Sequence, residues 1–186
     1  MLLDQKRTRR TVQVVAILTS LAFAGVIFVV LGLIFFGGGG ESAEDQILND
    51  AIARVENEPR NPEAYEELAS AYAATEDYPQ AIAAARRAVA LEPDDLSRVQ
   101  VLVSLQLQAG QAAAAVASLQ DYTARNPEDA EAFLQLGQQA EQAGRTQLAQ
   151  LAYQTFLRLE PDDPNAEAVR DRLNELSGAG TTTGGG

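Results

Sequence analysis

Two short acidic runs carry the side chains best suited to chemistry, Glu92-Pro93-Asp94-Asp95 and Glu160-Pro161-Asp162-Asp163. Clustered carboxylates can bind calcium, but a calcium loop of about 12 residues needs a central Gly and a terminal bidentate Glu. Neither run has them. The chain contains no histidine and no cysteine, so the commonest general base and the thiolate nucleophile are both missing. No phosphate loop, zinc spacing or catalytic elbow stands elsewhere. What marks the two runs is their repetition at 34 residues two units apart in a longer series. They read as turns between repeats whose last residue caps a helix by accepting a bond from a free backbone N–H. The sequence therefore predicts no enzyme, no metal and no cofactor.

The same period runs through the chain. Pro93, Pro127 and Pro161 stand 34 residues apart, with Pro59 one period upstream. Ala81, Ala115 and Ala149 keep that phase, as do Leu68, Leu102 and Leu136, and the large apolar residues Tyr65, Val99 and Phe133. Asn61, Asp95, Asp129 and Asp163 each stand just before a unit, and all are helix-capping types. Gly110 and Gly144 mark the turn inside units two and three, where a helix ends in a left-handed residue. Unit one has Glu76 there, so its turn is expected to need a different local solution. A 34-residue period is one helix–turn–helix unit, too small to bury its apolar face alone and stable only when stacked.

These residues resemble the tetratricopeptide repeat. Unit three carries the pattern as Phe133, Leu136, Gly137, Ala149, Tyr153, Phe156 and Pro161. Unit one carries it as Tyr65, Leu68, Ala69, Tyr72, Ala81, Ala88 and Pro93, with Ala85 where a large residue is usual. Unit two diverges most, with Val103 and Gln106 at the small and aromatic positions. The resemblance implies an all-α solenoid with three repeats over 62–161, in units 62–95, 96–129 and 130–163. A leading helix over 41–58 is expected in the second-helix position of a missing preceding repeat, packed on unit one through Ile47, Leu48, Ala51, Ile52 and Val55. A capping helix is expected over 164–177, with Val169, Leu173 and Leu176 on its inner side, and a disordered tail over 178–186.

Ahead of the repeats, residues 11–40 contain no charge and 12–36 are almost wholly apolar. A bilayer core of about 30 Å takes about 20 helical residues, so 11–36 is expected to be a single transmembrane helix following a basic tail over 1–10. The run is too long for the apolar region of a signal peptide, about 7–15 residues. Lys6, Arg7, Arg9 and Arg10 precede it and acids follow, which predicts a cytoplasmic N-terminus and repeats on the translocated side, periplasm or thylakoid lumen. Gly37, Gly38, Gly39 and Gly40 form a linker that reaches at most about 14 Å. Residues 41–186 hold 10 bases against 25 acids, and such a domain repels nucleic acid.

By resemblance, one stripe of each first helix lines the concave groove of a tetratricopeptide array. It comprises Glu63, Glu66, Ser70 and Ala73 in unit one, then Ser97, Gln100, Ser104 and Leu107, then Glu131, Leu134, Gln138 and Glu141. The basic clamp of the family's chaperone-tail receptors is missing, since none of the twelve is Lys or Arg. The expected ligand is a cationic or neutral protein segment with an apolar side chain for Leu107 and Leu134, and Glu66 and Glu141 are expected to be exposed. The layout of one span and three repeats resembles the photosystem I assembly proteins of cyanobacteria and chloroplasts, and implies a membrane-anchored scaffold for complex assembly. The alternatives are a translocon-associated periplasmic helper and a structural, self-associating envelope protein.

Overall fold

A computed structural model of the protein describes residues 42–179. The expected transmembrane helix over 11–36, its flanking basic tail and Gly linker, and most of the expected tail over 178–186 lie outside the described residues. Among the described residues no helix is long and apolar enough to cross a membrane.

The described chain is all α. A leading helix, α1 (Ala43–Asn57), is followed by three helical pairs: α2 (Pro62–Ala74) with α3 (Tyr78–Leu91), α4 (Leu96–Gln108) with α5 (Ala112–Arg125), and α6 (Ala130–Gln142) with α7 (Thr146–Leu159). A final helix, α8 (Ala166–Ala179), packs on α7. Each helix packs on the next, and α1 packs on α2 as expected of a second helix left from a preceding unit. The last helix starts two residues later than expected, because Pro164 and Asn165 belong to the turn that Asp163 organises.

Local chemistry sets the helix ends. Asn61 accepts from the Glu63 N–H at 3.0 Å, Asp95 from Ser97 at 2.8 Å, and Asp129 from Ala132 at 3.0 Å. Asp163 accepts from the Asn165 N–H at 2.7 Å. The first three cap α2, α4 and α6, each contributing about 1 kcal/mol; Asp163 instead ties the turn ahead of α8, which begins at Ala166. The acidic runs are turns, as their period implied, and Glu92 lies against Arg98.

The three inner turns share one geometry. Gly110 and Gly144 have φ of 72° and 71°, and Glu76 has φ of 59°. After each of them a backbone N–H closes on the carbonyl five residues back: Asp77 on Tyr72, Gln111 on Gln106 and Arg145 on Ala140. Unit one thus uses the same left-handed turn as the others rather than a different one, at the steric cost of a side chain there.

The core is uneven along the stack. Units two and three bury Val99, Val116, Leu119, Tyr122, Leu136, Tyr153 and Phe156 in one cluster that reaches Val169 on α8. Each large side chain so buried contributes about 1.5–3 kcal/mol. Unit one is filled largely by Ala69, Ala81, Ala84 and Ala85, with Ile82 and two leucines from α4. Ala85, the small residue at a usually large position, is fully enclosed there. Gln106, at the aromatic position of unit two, is also buried, and its carbonyl accepts from Ser118 Oγ at 3.0 Å. Gly137 lies directly under the Tyr153 ring, which an added Cβ would strike.

Candidate protein-binding groove

The twelve predicted groove residues lie on the three first helices α2, α4 and α6. None of the twelve is buried. Gln100 Nε2 on α4 donates to Glu131 Oε1 on α6 at 3.3 Å, so the stripes of units two and three are adjacent. At the other end Glu63, Glu66 and Ser70 share a cleft with Ile47, Asp50 and Arg54 of α1.

The charge of this surface differs from the expectation. Arg98 on α4, with its side chain only 8% exposed, reaches back toward α2 and gathers four acids of unit one. Its Nη2 donates to Glu63 at 2.7 Å, its Nη1 to Glu66 at 2.6 Å and its Nε to Glu92 at 2.8 Å. Asp95 lies 3.3 Å from Nε. Burial works against the charge on Arg98, but the hydrogen bonds to Glu63, Glu92 and Glu66 outweigh it and its pKa is raised. The Arg98 hydrogen bond in turn lowers the Glu63 pKa. At the far end Arg172 on α8 donates through Nε to Glu141 at 2.7 Å, and Tyr153 OH donates to the same carboxylate at 3.0 Å. The bond from Arg172 is the main cause of the lowered Glu141 pKa.

Glu66 and Glu141 are therefore part-buried ion-pair partners, with side chains 30% and 21% exposed, rather than the free surface acids expected. Reversing their charge would place Lys against Arg98 and Arg172 and disturb the packing between repeats. Glu131, by contrast, is held by the amides of Gln100 and Gln135. The middle of the surface is left to Gln100, Ser104, Leu107, Leu134 and Gln138, an amide, hydroxyl and apolar lining. Leu134 packs partly into the core, while Leu107 stands 37% exposed.

Sequence reasoning missed both arginines, although the register marks them. Arg98 falls where the other units have Ala64, Ala132 and Ala166, all buried. Arg172 falls in register with Ser70, Ser104 and Gln138, because the 34-residue phase continues into α8.

Stacked antiparallel helix pairs with an open stripe of first-helix side chains define an α-solenoid of the kind that binds other proteins. The chain carries tetratricopeptide repeats: family models of that description match residues 62–95 and 101–166. These repeats are protein-interaction scaffolds, typically without enzymatic activity. No curated protein matches the chain. Among solved structures it is similar to a crystal structure of MamA protein, at a TM-score of 0.54 and 22% identity over 73% of this chain and 74% of that one. It is also similar to YrrB, described as a TPR protein with an unusual peptide-binding site, at a TM-score of 0.50 and 18% identity over 72% of this chain and 74% of that one. Likeness at these identities shows the fold.

Proposed function

We propose that the protein is a membrane-tethered scaffold whose repeats hold a segment of a partner protein in the groove between Glu63 and Glu141. The reading is supported by twelve first-helix side chains that are nowhere buried, that touch between units two and three, and whose end acids Glu66 and Glu141 are already paired with the chain's own Arg98 and Arg172. With its ends satisfied, the groove selects less by charge than by its middle. An uncharged segment with amide or hydroxyl groups and one apolar side chain fits Gln100, Ser104, Leu107 and Gln138. YrrB, described as having a peptide-binding site, supports only the reading that the ligand is a peptide segment.

The tether is supported by the uncharged apolar run over 11–36 and by the four bases that precede it. A groove held at the bilayer meets membrane-bound partners at a raised effective concentration. That suits assembly of a membrane protein complex, and photosystem I is the example that the layout of one span and three repeats resembles.

Affinity capture from solubilised native membranes tests the reading. The wild-type chain should recover subunits of a membrane complex, and Ser104→Asp with Leu107→Asp should lose them while helix content stays unchanged. Capture unaffected by the two substitutions would move the site off the groove. Recovery of secretion-channel subunits would replace complex assembly with the translocon-helper reading. Separately, protease added to cytoplasmic-side-out vesicles should leave the repeats protected, and their digestion would reverse the topology.

A further inference from the structure

Unit two lacks rings that its neighbours carry. Val99 stands where units one and three have Tyr65 and Phe133, and Gln106 where unit one has Tyr72. On the second helix of the unit, Ala114 stands where the others have Gln80 and Leu148. With that bulk missing, residues of α3, α4 and α5 line a cleft of ≈ 340 Å³. Ligand pockets run to about 300–1,000 Å³, so this one has room for a single side chain rather than a helix. It shares no residue with the groove of first-helix side chains.

The buried part of the lining comes from α4, as Val99, Leu102 and Gln106. Gln106 is 1% exposed, and its carboxamide is only half satisfied. Its Oε1 accepts from Ser118 Oγ at 3.0 Å, while its Nε2 donates to none of the described residues. A buried donor without a partner is costly, so an acceptor delivered into the cleft is favoured.

The exposed part of the lining sets the charge of what enters. Arg125 lies 3.5 Å from Asp94 and donates to the backbone carbonyls of Asp121 and Pro93. Arg86 and the Asp121 carboxylate are both exposed and form no ion pair among the described residues. Their charges are opposite, so an anion or a cation would gain from one and lose to the other. A neutral ligand suits the cleft.

A phenol meets all of these conditions. Its ring fills apolar space beside Val99 and Leu102, and its oxygen accepts from Gln106 Nε2. Its proton goes to Ser118 Oγ, whose own proton is already on Gln106 Oε1. Arg86 supplies a guanidinium to stack on an aromatic face. We propose that this cleft takes a tyrosine side chain from a segment of a partner protein. It is a second binding site, on the second-helix side of unit two, and it does not depend on the groove.

Fluorescence anisotropy of a dye-labelled peptide, Gly-Ser-Ala-Tyr-Ala-Ser-Gly, tests this on the full-length protein in detergent. Binding should saturate, and a phenylalanine in place of the tyrosine should weaken it several-fold. Gln106→Leu should bind the two peptides alike, because the amide that tells them apart is gone. Ala117→Trp, which closes the cleft from an exposed position, should lose binding while its melting temperature is kept. The groove variant Ser104→Asp with Leu107→Asp should bind as the wild type does. The proposal is overturned by absence of saturable binding, by binding that survives Ala117→Trp, or by a Gln106→Leu that still prefers tyrosine. Loss of binding in the groove variant would assign the peptide to the groove instead. Tighter binding of a phosphotyrosine peptide would make the cleft an anion site and equally overturn it.

Discussion

Arg98 Nη1 donates to Glu66 Oε1 at 2.6 Å across 32 residues of sequence, tying the first helix of unit two to the first helix of unit one. Two more acids of the same neighbourhood, Glu63 and Glu92, accept from the same guanidinium. A buried cation shared by several part-exposed carboxylates is a joint between repeats: removing it leaves the acids facing each other with nothing between them.

Arg98→Ala should therefore destabilise the domain by about 2 kcal/mol, below the value of about 3–5 for a fully buried pair because the acids keep part of their solvation. Ala is sterically acceptable at this position, as Ala64, Ala132 and Ala166 demonstrate. Adding Glu66→Gln should recover part of the loss by relieving repulsion. Urea unfolding of the single and double variants measures both effects, and a double variant less stable than the single would refute the account.

Glu76 holds a left-handed backbone with a side chain, whereas Gly110 and Gly144 hold it without one. Glu76→Gly is expected to raise stability by up to about 1 kcal/mol, and Gly144→Ala to lower it by about 1 kcal/mol. An added Cβ at Gly144 meets no atom within 4 Å, so the loss would come from the backbone alone. Thermal melts of the two variants should shift in opposite directions.

At Gly137 the cost has another origin. A Cβ there would strike the Tyr153 ring, and overpacking of this kind costs about 1–3 kcal/mol, against a gain of up to about 1 kcal/mol in helix propensity. Gly137→Ala should be destabilising, and substantially less so in a Tyr153→Leu background. Equal effects in both backgrounds would show that the ring is not the obstacle.

Stability should be flat over a wide pH range and fall at both ends. Glu63, Asp95 and Glu141 have lowered pKa values, owing first to bonds from Arg98, Ser97 and Arg172 respectively. Their contribution is present above the ordinary carboxylate range, about pH 4, and is lost as pH falls through the lower folded values. Tyr122 and Tyr153 are pushed up to about 12 by burial and by the carboxylates of Asp129 and Glu141 to which they donate. Their contribution is present below about pH 10 and is lost as pH rises toward 12. Melting temperature against pH checks the plateau, and phenolate absorbance, read folded and in denaturant, checks the two late tyrosines.

The alanine-filled unit one should open before units two and three, because a repeat array unfolds unit by unit when one core is thinner. Amide exchange in α2 and α3 is expected to be faster than in α6 and α7. Uniform protection along the stack would show that the joint at Arg98 outweighs the difference in packing.

The sequence alone determined the helix count of each repeat, its caps and its stacking partners. Those features depend on contacts within a few residues or on a period that repeats: Asp95 caps its helix through the N–H of Ser97, two residues on, and Ala81, Ala115 and Ala149 recur at one position of the period. The groove positions were assigned by resemblance to the tetratricopeptide family. Their electrostatic state was decided by the tertiary structure. Glu63 and Glu66 lie 35 and 32 residues from Arg98, and Glu141 lies 31 from Arg172. A count along one helix face cannot see a side chain that arrives from the next unit. Only packing brings these arginines beside the acids, and burying Arg98 out of water makes its pairing with them obligatory.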